Sequence, residues 1–312
     1  MFMNQDQGQI GPTKCSIRGD VFVMQPVPQK HSLHPACYLC GATNIKKKFK
    51  VNDHHIVQCR TCSFVFVWEH WSPDALATYY KQQGTDQVYG EVENRVNLNY
   101  YYESLRDIIQ AMKPGGQLLD VGCSEGQFLD VMHGWQCHGV ELEPVAAQKA
   151  QIKYGDRVFN GNLEDAGFSN ETFDVITLQD VLDHMPAPLA SLRKCRDLLK
   201  PGGLIVVKVH NISCLYARIT GSKYYAIVPP VHLSYFNKKT LDFALVESGF
   251  SVLSHKYISH ILFLKTIFFR LSEGKQRGLF YHCFKLVEHS RLGKIRIRKN
   301  LHDIITTWAV KL

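Results

Sequence analysis

Residues 118–129 read Leu-Leu-Asp-Val-Gly-Cys-Ser-Glu-Gly-Gln-Phe-Leu. The run LLDV has the apolar texture of a short buried strand, and Gly122 to Gly126 follow it as a turn. Such a turn needs residues without bulk, so that a ligand can lie against the backbone before the next helix starts. Alone, the stretch is open to three readings. G-x-S-x-G after a strand is the nucleophile elbow of a hydrolase, with Ser124 attacking. A glycine-rich turn also holds a dinucleotide, or a nucleoside. The continuation decides between them. Glu141 ends the next apolar run in HGVELEP, 19 residues after Gly122, where a carboxylate meets the hydroxyls of a ribose. A dinucleotide cradle needs a GxGxxG spacing that Gly122, Ser124 and Gly126 do not supply. A hydrolase has no use for the acid.

Outward from this turn, strands and helices alternate. CHGVEL, RVFNGN, FDVITLQ and LIVVKVH read as strands, and PVAAQKAQIKYG and PLASLRKCRDLLKPGG as helices. A helix over about 98–112 is stopped by Lys113-Pro114-Gly115-Gly116. Strands separated by helices of this length predict an α/β fold with a doubly wound, mostly parallel sheet.

A second pattern precedes it. Cys37-x2-Cys40 is followed after 18 residues by Cys59-x2-Cys62, which fits a two-knuckle zinc site. Each CxxC turn points two thiolates at one cation, and Gly41 permits the tight backbone of a knuckle. FKVNDHHIVQC between the pairs reads as a hairpin turning at Asn52-Asp53, with His54 and His55 facing solvent. Four sulfur ligands close the coordination sphere, so the Zn2+ is structural. A disulfide scaffold is excluded for ten cysteines in 312 residues.

LLDVGCSEGQFL, HGVELEP, NGNLEDAGF, FDVITLQDVLDHMPAPLASL and LLKPGGLIVVKV, in that order, resemble class I S-adenosylmethionine-dependent methyltransferases over roughly residues 98–260 and again at the final strand. The resemblance implies a Rossmann-like seven-stranded sheet with S-adenosyl-L-methionine at its carboxyl edge. Asp120, Gly122, Ser124 and Gly126 would shape the pocket for the methionine part, and Glu141 would take the ribose hydroxyls. Asn162 and Leu163 would meet the adenine edge, and Gln179 would line the cofactor. Ser124 stands where the family usually has glycine, and Asn162 where it often has aspartate. The segment VPPVHLSYFNKKTLDFALVESGF resembles small-molecule methyltransferases of sugar and secondary-metabolite pathways. His232 in it, and His184 in VLDHM, are the expected proton acceptors at the substrate, with Tyr235 and Tyr101 as weaker candidates. Methyl transfer from a sulfonium calls for no metal, and the protein aligns the nucleophile and removes its proton.

The organisation read from the chain is a lead-in (1–36), a zinc ribbon (37–68), a helical linker or lid (69–112) and a methyltransferase domain (113–312) with a basic helical insertion at about 261–300. The net charge of +8 is concentrated there: residues 253–312 hold 12 Lys or Arg against three Asp or Glu. Clustered positive charge suits phosphates or an anionic membrane surface; the segment reads equally as a solvated basic face, and the helix pair of the insertion as a cap over the active site. The start MFMNQDQGQIGPTKC lacks a signal-peptide pattern and no apolar run reaches about 18 residues, so a cytoplasmic location is expected. The partner expected is a small-molecule acceptor, a sugar or a nucleotide- or lipid-linked sugar. The alternatives are an RNA methyltransferase, with Lys46, Lys47 and Lys48 as a small basic patch, and a zinc-bearing cofactor-binding protein without catalysis.

Overall fold

The computed structural model describes residues 14–17, 20–23, 33–72, 75–76, 92–272, 277–288 and 290–312. Most of the lead-in, and most of the polar stretch between 69 and 91, lie outside the described residues. The chain divides into two compact units, residues 31–261 with 298–312, and residues 1–30 with 262–297. In the smaller unit, β1 (Lys14–Ile17) and β2 (Asp20–Val23) pair as an antiparallel hairpin.

The larger unit opens with β3 (Ile45–Val51), β4 (His54–Cys59) and β5 (Val65–Val67). Asn52 at the β3–β4 turn is left-handed (φ 52°), as the Asn-Asp turn requires. After α1 (Val92–Met112) the βα alternation begins. It comprises β6 (Gly116–Val121), α2 (Gln127–Val131), β7 (Trp135–Glu141), α3 (Pro144–Tyr154), β8 (Val158–Asn160), β9 (Phe173–Gln179), α4 (Pro188–Leu198) and β10 (Leu199–His210). Then come α5 (Leu215–Thr220), β11 (Ser234–Tyr235), α6 (Lys238–Glu247), β12 (Phe250–Lys256) and the terminal β15 (Ile304–Lys311).

Seven strands form one sheet in the order β12-β15-β10-β9-β6-β7-β8. β15 runs antiparallel to both its neighbours, and the pairings from β10 to β8 are parallel. The central strands carry runs such as Ile205-Val206-Val207 with no exposure, because helices cover both faces of a parallel sheet. Strand order reverses between β6 and β9, the switch point where open α/β sheets bind ligands. α2 spans five residues only.

The cysteine-bearing hairpin does not stand alone. β11 adds to it, giving a second sheet in the order β11-β5-β4-β3 with Ser234 opposite Phe66 and Tyr235 opposite Val65. Phe64 packs on Phe236 at 5.2 Å between ring centroids. The Tyr38 hydroxyl donates to the Leu233 carbonyl at 3.0 Å and lies 2.8 Å from Ser234 Oγ. Cys37, Leu39, Val57, Phe64 and Phe66 belong to the same buried cluster as Leu182, Phe236 and Leu241. His54 and His55 do not face solvent as the sequence suggested. Both are half-buried beside Glu69, whose Oε1 lies 2.8 Å from His55 Nδ1. The reason is that Glu69, just beyond β5, brings its carboxylate against both imidazoles.

β13 (His260–Phe263) leads into the smaller unit's α7 (Leu264–Leu271), which is followed by α8 (Leu279–Val287) and then β14 (Arg296–Lys299). α7 and α8 meet through Phe269 and Phe284 at 5.3 Å.

Candidate active site

The carboxyl ends of β6, β7 and β9 bring the sequence-selected residues together. Gly122 continues β6 with φ 75°, and a Cβ there would fall 2.4 Å from Val181 Cγ2. Only glycine leaves that path open. Ser124 and Gly126 are also left-handed (φ 49° and 81°), so the turn tolerates serine at the cost of some backbone strain. The Glu141 carboxylate ties the turn to β7. Its Oε2 accepts from the Ser124 amide and its Oε1 from the Glu143 amide, both at 2.8 Å. Each oxygen keeps a further lone pair, enough for a vicinal diol. Burial raises the Glu141 pKa, opposed by these amide hydrogen bonds.

Asp120 is buried, and its Oδ1 accepts from the Thr177 hydroxyl on the adjacent β9 at 2.5 Å. Burial lifts it to about 7, against the lowering effect of Thr177 and with a further push from Glu141. Asn162 is exposed and donates to Asp165 at 3.3 Å. Leu163 is buried in the core, so it can offer a ligand only its backbone. At the end of β9, both side-chain polar atoms of Gln179 are buried without a hydrogen-bond partner. A buried amide in that state costs about 1–3 kcal/mol, which is the mark of a group awaiting a ligand. These residues fit an aminoacyl nucleoside: a bulk-free turn, an acid with free lone pairs, and an unpartnered amide at one edge of the sheet.

Beside them stands a histidine cluster. Asp183 and His184 follow β9, His210 ends β10, and His232 precedes β11. His184 and His232 lie 4.5 Å apart by ring centroid, and His210 and His232 5.1 Å. Asp183 Oδ2 is 3.1 Å from His210 Nδ1. His232 Nδ1 lies 2.6 Å from the Ala226 carbonyl, which fixes its tautomer with the hydrogen on Nδ1. Burial pushes the Asp183 carboxyl up, but the His210 hydrogen bond and the neighbouring imidazoles hold it well below the carboxylate range. Burial lowers His210 too, yet the Asp183 carboxylate outweighs it and the net shift is upward. Burial lowers His184, and it takes His232 down to about 3, with His184 adding to the effect. One member of the cluster is therefore a good base and the others are neutral.

The sequence singled out His184 and His232 but missed Asp183 and His210. The available signal was positional: VKVH ends a central strand at the same edge as Gln179. Tyr235 donates to the His232 carbonyl at 3.0 Å, and Tyr101 sits 3.0 Å from Thr306 Oγ1 with Lys208 over its ring. Both are buried, and burial raises both hydroxyls, so they brace the site.

The four cysteines converge as spaced. All four Sγ atoms lie within 4.8 Å of one another, with Cys37–Cys62 at 3.7 Å and Cys40–Cys59 at 3.6 Å. Tetrahedral Zn2+ with Zn–S bonds near 2.3 Å separates its sulfurs by about 3.8 Å. Gly41 donates to the Cys37 carbonyl and Ser63 to the Cys59 carbonyl, both residues left-handed. The two knuckles are thus built alike, and the set is compatible with zinc.

Strand order, antiparallel β15 and a nucleoside cradle at the switch point define the Rossmann-like fold of class I methyltransferases. A family profile described as "Methyltransferase domain" matches residues 97–255, just over half of the chain, and the chain belongs to that family. It is similar to the ubiquinone biosynthesis O-methyltransferase of Vibrio parahaemolyticus, 31% identical over 147 residues, covering 44% of this chain and 60% of that protein. The protein of that name in Xanthomonas campestris is 32% identical over 129 residues, covering 38% and 53%. The chain therefore spans between half and three fifths of the length of these relatives. Among solved structures, a methyltransferase of Thermotoga maritima described as a possible histamine N-methyltransferase aligns with TM-score 0.46 and 18% identity, over 70% of this chain and 94% of that one. The cysteine knuckles lie outside the family match.

Proposed function

We propose that the protein is an S-adenosylmethionine-dependent methyltransferase acting on a small molecule, with one structural Zn2+ held by Cys37, Cys40, Cys59 and Cys62. The observation that carries this reading is the pairing of the unpartnered Gln179 amide and the Glu141 cradle with a neutral-to-basic histidine cluster at the same sheet edge. S-adenosylmethionine, when bound, supplies an electrophilic methyl group. The chain binds the donor through Asp120, Gly122, Ser124, Gly126 and Glu141, with Gln179 lining it and Asn162 and Leu163 at the adenine. It orients the acceptor against His184 and His232 and takes its proton. His210 is the member that holds the proton best, because Asp183 stabilises its imidazolium.

The relatives' name speaks for a hydroxyl as the methylated group, and sugars and nucleotide- or lipid-linked sugars are the first acceptors to assay. The test is single-turnover methyl transfer by His184→Ala, His210→Ala and His232→Ala. Loss of the group that takes the proton lowers turnover about 10²–10⁴-fold with donor affinity unchanged. Wild-type turnover in all three would remove the cluster from the mechanism.

A further inference from the structure

A second surface lies in the smaller unit, on α8 and the turn after it. α8 has the sequence LFYHCFKLV, and none of its nine residues is buried. Phe284 faces Phe269 of α7, so one side of the helix is used for packing. The other side should then be polar. Instead Leu279 and Leu286, two turns apart and therefore on one face, are 73% and 79% exposed, and Phe280, turned toward the packed side, is still 43% exposed. Leu271, at the end of α7, is also exposed. Exposed apolar side chains gathered on a short helix mark an interaction surface rather than an ordinary solvated one.

Charge says what kind of partner fits. Residues 262–297 carry eight Lys or Arg against two Glu. Lys285 is paired with Glu288. Arg277, Arg291 and Lys294 are exposed, flank α8 on both sides, and make no ion pair among the described residues. A leucine-bearing face rimmed by these exposed cations complements an anionic lipid surface, with the apolar side chains entering the acyl boundary and the cations meeting headgroup phosphates. No helix among the described residues is long and apolar enough to cross a membrane, so the contact is peripheral. We propose that α8 and its flanking basic residues form a docking surface for anionic bilayers. This inference is independent of the methyl-transfer reading, and its test does not use catalysis.

The experiment is sedimentation of the full chain with vesicles of phosphatidylcholine alone and of phosphatidylcholine containing phosphatidylglycerol. Co-sedimentation is expected with the anionic vesicles only, and raising the salt should weaken it. L279S/L286S and R277E/R291E/K294E should each lower the bound fraction about tenfold or more, while calorimetric binding of S-adenosylhomocysteine stays at the wild-type value and shows the larger unit intact. Three outcomes would overturn the proposal. One is absence of binding to anionic vesicles. Another is equal binding by wild type and both variants. The last is a dimer, seen by size exclusion with light scattering, that L279S/L286S abolishes, since a second copy would then be what covers the face.

Discussion

Replacing Glu141 by glutamine tests the cradle at its most specific residue. In the native chain each carboxylate oxygen accepts one backbone amide at 2.8 Å, from Ser124 and Glu143. Glutamine keeps one acceptor oxygen and turns the other into an NH2 group that faces an amide donor. The variant thus loses one hydrogen bond to the turn, gains a donor–donor contact, and can no longer accept from both hydroxyls of a ribose. Hydrogen bonds to a charged group are each worth about 1.5–3 kcal/mol. Loss of the ribose pair, partly replaced by the remaining amide oxygen, weakens donor binding by about 2–3 kcal/mol, or roughly 30- to 150-fold in Kd. The assay is isothermal titration with S-adenosylhomocysteine, alongside circular dichroism to show that the variant is folded. An unchanged Kd in a folded Glu141→Gln protein would refute the assignment of Glu141 to the ribose.

Asp120 should make the ligand-free protein less stable as pH rises. Burial lifts its folded pKa to about 7 from the ordinary 3.8 of an aspartate, so below about pH 4 no charging penalty is felt, and the penalty grows until the pH passes about 7. Asp120→Asn keeps an acceptor for Thr177 and should raise the melting temperature at pH 8 while leaving it little changed at pH 4. A pH-independent effect would show that the carboxyl is not strained by burial. With a substrate in hand, the acidic limb of kcat/KM should lie above the 6.5 of an ordinary histidine, because Asp183 raises His210. Asp183→Asn should move that limb to lower pH, and an unmoved limb would separate Asp183 from the titrating base. Metal analysis should find about one Zn2+ per chain, lost in Cys37→Ser/Cys40→Ser. Because β11 pairs with β5, hydrogen exchange in that variant should quicken over residues 228–236 as well as 37–68. Protection retained at 228–236 would show that the ribbon does not brace His232.

The parts legible in the sequence are those set by local chemistry. The turn at Gly122 was legible because its chain path excludes a side chain, and Glu141 because a fixed strand–helix–strand length places it at the same edge. The cysteine knuckles were legible because CxxC fixes two sulfurs locally; Ser63, the counterpart of Gly41, went unnoticed because serine carries no strong left-handed signal. Non-local pairings were not legible. A two-residue strand such as Ser234–Tyr235 has no periodicity, and its partner Val65–Phe66 lies about 170 residues away in sequence. The Asp183–His210 pair was hidden for the same reason, since it forms only when β9 and β10 lie side by side. The burial of His54 and His55 is likewise non-local, since Glu69 approaches them from beyond β5.

The central claim is that this edge of the sheet transfers a methyl group to a small molecule. The most direct measurement is incubation of the full chain with methyl-labelled S-adenosylmethionine and separate pools of small metabolites, lipid-linked sugars, RNA and protein. Label should enter a small-molecule or lipid-linked product with the wild-type chain, and should fail to do so with His210→Ala although donor binding is retained. Label confined to RNA, or no transfer to any pool by a chain that binds the donor, would contradict the account.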